Sequence, residues 1–222
     1  MTPRAVIASG AGRYADPWHP FPETSARVAG VLRSAGFKVE VDEDVDARLA
    51  GLRGAGSAEL LVLNIGNPGD DRRDDADAAS RAGLLAHLAA GRPLLALHVS
   101  STSLPTIPEW ESVLGGIWVR GTTFHPEYGT ARVEIVDRGH PITAGLADFE
   151  LSDEKYTALR VSPEVHVLAQ HTLEGAAHPL VWTHRYGSAD VVYDALGHDA
   201  ASFDSPEHRE LLARAARWLT RA

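Results

Sequence analysis

The sequence predicts an α/β domain with a doubly wound, mostly parallel central sheet and an antiparallel extension. Three observations carry this reading. Over the first hundred residues short apolar runs alternate with amphipathic stretches of helical period, and parallel neighbours need such crossover helices. Beyond residue 116 strand-like runs follow one another without long helices between them. The run Pro93-Leu94-Leu95-Ala96-Leu97 is uninterruptedly apolar, which suits an innermost strand covered on both faces. A length of 222 residues, 44% hydrophobic and 23% charged, sets aside collagen-like, disordered and coiled-coil classes. Residues 1–222 are read as one domain, because single α/β domains often pass about 200 residues.

Each element follows from local chemistry. Ala5-Val6-Ile7-Ala8 is a buried strand ending in Ser9-Gly10-Ala11-Gly12. Tyr14, Trp18, His19 and Phe21 lie among Pro17, Pro20 and Pro22, too proline-dense for a helix or a central strand. A helix begins at Glu23, with Val28, Val31 and Leu32 on one face. Gly36 stops it before the strand Phe37 to Val41. A short helix from Asp46 to Leu52, a strand from Glu59 to Ile65 and the loop Gly66-Asn67-Pro68-Gly69 follow. The charged run Asp70 to Asp77 reads as a solvated loop leading into the helix Ala76 to Ala90, which buries Leu84, Leu85 and Leu88. Later strands are expected at Ile117 to Thr123, Thr130 to Val136, Glu164 to Ala169, Pro179 to Thr183 and Ala189 to Leu196. An amphipathic helix from Ser205 to Thr220, N-capped by Asp204 or Ser205, closes the chain.

Composition removes several functions. Lys and Arg number 21 against 30 Asp and Glu, a net charge of −9, which repels phosphate backbones and anionic lipid. Nucleic acid is not an expected partner. The absence of cysteine excludes thiolate nucleophiles, disulfides and Cys-ligated metal, so any metal must use His, Asp or Glu. The start Met1-Thr2-Pro3-Arg4 lacks a signal-like apolar region, and no run is long enough to span a bilayer. A cytoplasmic location without membrane contact is expected.

The histidines are the candidate reactive groups. His98 follows Leu94-Leu95-Ala96-Leu97 directly, where α/β folds gather their sites. The strand-to-helix elbow that holds a nucleophile in related architectures here holds imidazole. Ser100 and Ser101 lack the G-x-S-x-G spacing and read as helix-capping residues. His19, flanked by Trp18 and Phe21, either lines a carbohydrate-sized pocket or plugs the sheet edge. Phe124-His125-Pro126-Glu127-Tyr128 supplies another imidazole, and Gly197-His198 closes a strand that could approach the same cleft. His140-Pro141-Ile142-Thr143 reads as a turn leading into a helix. In Leu151-Ser152-Asp153-Glu154-Lys155-Tyr156 the adjacent carboxylates of Asp153 and Glu154 point opposite ways in a strand, so one is expected to enter the cleft and the other to stay solvated. His19, His98, His125 and His198 with Asp153 or Glu154 could supply a metal shell, yet no H-E-x-x-H signature assigns one, so no metal ligand is designated and the cofactor stays unknown.

Taken in order, the His19 loop, Gly91-Arg92-Pro93 through His98, Leu114-Gly115-Gly116, Phe124-His125-Pro126, His140-Pro141-Ile142, Asp153-Glu154-Lys155-Tyr156, Pro179-Leu180-Val181-Trp182 and Val191 through His198 resemble the ThuA-like family, associated with trehalose utilisation. Ser188-Ala189-Asp190 departs from the family's Gly-Arg-Val. The resemblance implies a flavodoxin-like three-layer sandwich of the class I glutamine amidotransferase type, with the amidotransferase cysteine replaced. Glutaminase chemistry needs that thiolate and is excluded. It further implies a carbohydrate substrate, trehalose-like or a keto-disaccharide. Histidine acid/base chemistry is then expected of His98, with His19, His125 and His198 positioning hydroxyls. Tyr14, Trp18, Asp153, Glu154, Tyr156 and Trp182 are the expected substrate-binding residues. A non-catalytic sugar-binding or regulatory protein and a His/carboxylate metal-dependent hydrolase are the alternatives. Trp110, Ile117 and Trp118 form either a homodimer contact or core packing.

Overall fold

The structure is a computed structural model and describes residues 2–54, 58–68 and 75–221. Its elements in chain order are β1 (Arg4–Ser9), α1 (Phe21–Ser34), β2 (Lys38–Asp42), α2 (Val45–Gly51), β3 (Leu60–Asn64), α3 (Asp75–Ala89) and β4 (Leu94–Leu97). A 3₁₀ turn (His98–Thr102) leads to α4 (Trp110–Leu114), β5 (Gly116–Ile117), β6 (Gly129–Ile135), β7 (Phe149–Asp153), β8 (Arg160–Val161) and β9 (His166–Leu173). β10 (Ala176–Tyr186), β11 (Ala189–Asp194) and α5 (Pro206–Leu219) complete the chain.

Among the described residues nine strands form one sheet in the order β2-β1-β3-β4-β11-β10-β9-β6-β7. The pairings from β2 through β11 are parallel, and those from β11 to β7 are antiparallel. Helices α1 and α5 pack together, as do α2 and α3. Right-handed crossovers put the two pairs on opposite faces, giving the three-layer sandwich. Every residue of β3 and β4 is buried, as strands covered on both sides must be. On one of those faces Gly83 of α3 lies so close to Leu49 of α2 that a Cβ there would sit 1.9 Å from its carbonyl oxygen, so no larger residue fits.

Several expected boundaries move. Helix α1 begins at Phe21 rather than Glu23, because Pro22 lacks an N–H only where the first turn has no use for one. Ser205, not Asp204, caps α5 by accepting from the His208 N–H. The expected strand Ile117 to Thr123 ends at Ile117. There the Thr123 hydroxyl takes the Val119 N–H and Gly121 adopts φ +80°, so a turn forms instead. The β9–β10 hairpin runs longer than its apolar cores, since ladder pairing carries polar Gln170, His171 and Thr172 along. His140 to Thr143 turns but enters no helix, its segment closed by Thr143 N–H to His140 O. Residues 69 to 74, covering most of the charged run and Gly69, lie outside the described residues. No described helix is long and apolar enough to cross a membrane. Trp110 is buried, its indole donating to Ser100 O, while Ile117 and Trp118 are partly buried and packed against the core.

Candidate functional site

The carboxyl end of β4 turns sharply at His98, whose φ of +42° falls in the left-handed region that costs a non-glycine residue about 1–3 kcal/mol. Two buried bonds hold it there. His98 Nδ1 is 2.7 Å from Ala195 O, and the Tyr193 hydroxyl donates to His98 O at 2.7 Å. A carbonyl can only accept, so Nδ1 carries the proton and Nε2 keeps its lone pair. That Nε2 lies 3.1 Å from the Tyr156 hydroxyl, with the two rings stacked at 4.3 Å.

His19 reaches the same point from the loop after β1. Asp16 orients it: the carboxylate takes the Nδ1 proton at 2.7 and 2.9 Å and accepts the backbone N–H groups of Trp18 and His19. His19 Nε2 is then a buried nitrogen with no partner. His198 follows β11, where Gly197 turns the chain at φ +109°. Its Nδ1 sits 3.2 Å from Glu154 Oε2, close enough for charge attraction but without hydrogen-bond geometry. Glu154 follows β7, and its Oε2 is also 3.5 Å from His98 Nε2. One donor atom from each of His19, His98, Glu154 and His198 lies within 4.8 Å of all the others. His125 stands at the rim, 39% exposed, with Nε2 3.5 Å from Glu154 Oε1. The cavity above the cluster measures about 650 Å³, and Trp18, Trp118, His125 and Tyr156 contribute to its walls.

The charges are coupled. Burial lowers the pKa of His19 despite the Asp16 bond, so its imidazole is neutral around pH 7. At His198 burial works in the same direction, but the Glu154 carboxylate outweighs it and the net shift is upward. Burial alone would raise Glu154, yet His198 and His98 hold it well below the usual carboxylate range. Burial pushes the Tyr156 phenol far up, so it stays protonated and is a donor.

Behind the cluster runs a buried polar chain. Asp153 accepts from the backbone N–H groups of Glu154 (2.8 Å), Gly197 (2.8 Å) and His198 (3.1 Å), and from the Ser202 hydroxyl (2.5 Å). Ser202 contacts His208 Nδ1 at 3.0 Å, and His208 Nε2 meets Asp194 at 3.1 Å. Asp153, Ser202, His208 and Asp194 are all fully buried.

The structure therefore brings His19, His98, His198 and Glu154 together, with Tyr156 and Trp18 in the wall and His125 at the rim. It does not bring the others. Asp153 is buried behind the cavity rather than solvated, because three backbone N–H groups converge on it. Tyr14 lies elsewhere in the fold, buried against Arg13 and Asp46, to which it donates at 2.9 Å. Trp182 is a core residue whose indole donates to Leu114 O at 2.8 Å. Ser100 is spent on the backbone of Leu63 and Ile65. Sequence reasoning missed Asp16, Trp118 and His208. Two carried a signal: Asp16 stands three residues before His19, and His208 interrupts the apolar face of α5 one turn before Leu211 and Leu212.

A metal ion fits these residues on three counts. Three imidazole nitrogens and one carboxylate oxygen make a donor set suited to a divalent first-row transition ion rather than to magnesium or calcium. One of the nitrogens, His19 Nε2, is buried without a partner, a state that ordinarily costs about 1–3 kcal/mol, and His198 Nδ1 has only the Glu154 carboxylate beside it. Two of the imidazoles donate their far N–H to a carboxylate or a carbonyl, the arrangement that fixes metal-ligating histidines.

Solved structures share the fold. A ThuA-like protein from Parabacteroides merdae superposes with a TM-score of 0.80 at 18% identity, covering 99% of this chain and 90% of that one. One from Bacteroides uniformis gives 0.75 at 18% identity, covering 97% and 90%. A glutamine amidotransferase from Thermotoga maritima gives 0.57 at 10% identity, covering the whole of both chains. No curated protein sequence matches the chain. The family model described as trehalose utilisation matches residues 5–219, and the chain belongs to the ThuA family.

Proposed function

We propose that the protein is a carbohydrate-processing enzyme whose centre is a divalent transition-metal ion held by His19 Nε2, His98 Nε2, His198 Nδ1 and Glu154 Oε2. One observation carries the reading: four donors from four separate segments meet within 4.8 Å. The family's description as trehalose utilisation supports a sugar as the substrate. A bound ion would polarise a sugar hydroxyl or carbonyl oxygen, or acidify a bound water. The chain's own residues do the rest. Trp18 and Trp118 offer apolar faces to the ring, the Tyr156 hydroxyl donates toward the cluster, and His125 stands at the open rim 3.5 Å from Glu154, within reach of a bound hydroxyl. A keto-sugar suits this set, because a carbonyl beside the reacting carbon acidifies its C–H. Glutaminase chemistry is absent because the chain has no cysteine.

A second reading rests on the 3.1 Å contact between His98 Nε2 and Tyr156. Without a metal that pair is a short proton relay, with His98 as the base. Elemental analysis of protein purified without chelators separates the two. Near one equivalent of transition metal, lost in Glu154→Gln and His198→Ala, supports the metal centre, and metal-free protein that still converts a keto-disaccharide in an NMR assay overturns it.

A further inference from the structure

Beside the donor cavity lies a second one of about 590 Å³, and both are lined by Trp18, His19, Val99, Thr102 and Trp118. They are two lobes of one trench, with the donor cluster at one end. The far lobe is floored by Leu104, Ile107, Trp110 and Ile117. Apart from Arg120 at the exposed mouth and His19 Nε2, which faces the donor cluster, the polar side chains of Thr102, Ser103, Trp110, Glu111 and Asp16 are already committed. Thr102 donates to Val99 O at 2.9 Å, and Ser103 to the carbonyls of Ile65 and Gly66 at 2.8 and 2.9 Å. The Trp110 indole is taken by Ser100 O, the Glu111 carboxylate by Arg160 at 2.6 and 2.7 Å, and Asp16 by His19.

A sugar ring carries hydroxyls around its whole edge, and each one enclosed without a partner is unfavourable. The far lobe offers little to satisfy them but much to satisfy an aromatic ring. Trp18, 72% exposed at the junction of the lobes, is a large apolar surface that such a ring would cover. We propose that the far lobe is an aglycone subsite, and that the substrate is a glycoside with an aromatic aglycone whose sugar ring sits over the donor cluster. This rests on the carbohydrate reading above and names its substrate class. Arg120 at the exposed mouth leaves room for an acidic or phenolic substituent on the aglycone.

Calorimetric titration of the protein as purified with methyl α-glucoside, phenyl α-glucoside and trehalose tests the inference. The phenyl glycoside is expected to bind about tenfold or more tightly than the methyl glycoside, from the apolar area it buries. Pro108→Asp, at an exposed rim position of the far lobe alone, is expected to erase most of that preference while leaving methyl glucoside binding unchanged. Equal affinity for the phenyl and methyl glycosides overturns the aglycone subsite and leaves the carbohydrate reading standing. Tighter binding of trehalose than of the phenyl glycoside also overturns it, making the far lobe a second sugar site. Binding of none of the three removes the carbohydrate reading and the subsite with it, a result distinguishable because metal content does not depend on either.

Discussion

The carboxylate of Asp153 accepts the backbone N–H of His198 at 3.1 Å, and the same oxygen accepts that of Glu154 at 2.8 Å. One buried side chain therefore sets the spacing of the two proposed metal donors Glu154 and His198, which follow different strands, β7 and β11. Its other oxygen holds Gly197 and Ser202, so the carboxylate has no capacity left for substrate.

Asp153→Asn keeps the shape but turns one acceptor into a donor facing other donors. The expected result is a loss of about 2–3 kcal/mol in urea unfolding, from a broken set of charge-assisted bonds. Metal affinity should fall about 10- to 100-fold, the usual scale for groups that orient ligands. Calorimetric metal titration of the folded variant checks the second part. Unchanged affinity would mean that the 153–198 contact is structural alone.

His208 gives a prediction about stability against pH. Burial works against its charged form, but the charge of Asp194 outweighs it and the pKa is raised above 6.5. A raised histidine contributes stability that is fully present below the unfolded value near 6.5 and is lost as pH rises through the folded value. The difference in unfolding free energy between wild type and His208→Gln should therefore be larger at pH 6 than at pH 9. A flat difference would mean that the His208 pKa is unshifted, and one that grows with pH would mean that burial keeps the imidazole neutral.

Much of the fold was legible because it depends on local pattern. The apolar run at Leu94 to Leu97 could only be a covered strand, and His98 directly after it had to stand at the strand tip. The site was legible only in part. His19, His98 and His198 each sit beside a recognisable strand or loop signal, but no spacing in the sequence encodes their convergence, because crossovers and the antiparallel extension bring them together. Trp182 and Tyr14 misled for the opposite reason. An aromatic residue with a polar tip looks the same in sequence whether that tip meets a ligand or a core carbonyl, and here the partners are Leu114 O and Asp46. Of the pair Asp153 and Glu154, expected to put one carboxylate in the cleft and one in solvent, Glu154 lines the cavity but Asp153 is fully buried. What sequence could not supply was the set of backbone N–H groups that makes a buried position favourable for Asp153.

The protonation of His198 and Glu154 sets how metal binding responds to pH. Glu154 is ionised throughout the neutral range, since its pKa is depressed, and His19 is neutral there because burial lowers its own. His198 differs: Glu154 holds its pKa above 6.5, so in the metal-free protein a proton occupies the Nδ1 side of the cluster around that pH. A cation must displace that proton. Apparent affinity should therefore rise by about tenfold per pH unit up to the folded pKa of His198 and level off above it, with one proton released per ion bound. Calorimetry in two buffers of different ionisation enthalpy reads both quantities. In Glu154→Gln the His198 pKa loses its support, so the rise should move to lower pH while affinity drops overall from the loss of a ligand. If the wild-type affinity were flat between pH 6 and 8, His198 would not be a ligand, and the four-donor centre would reduce to His19, His98 and Glu154.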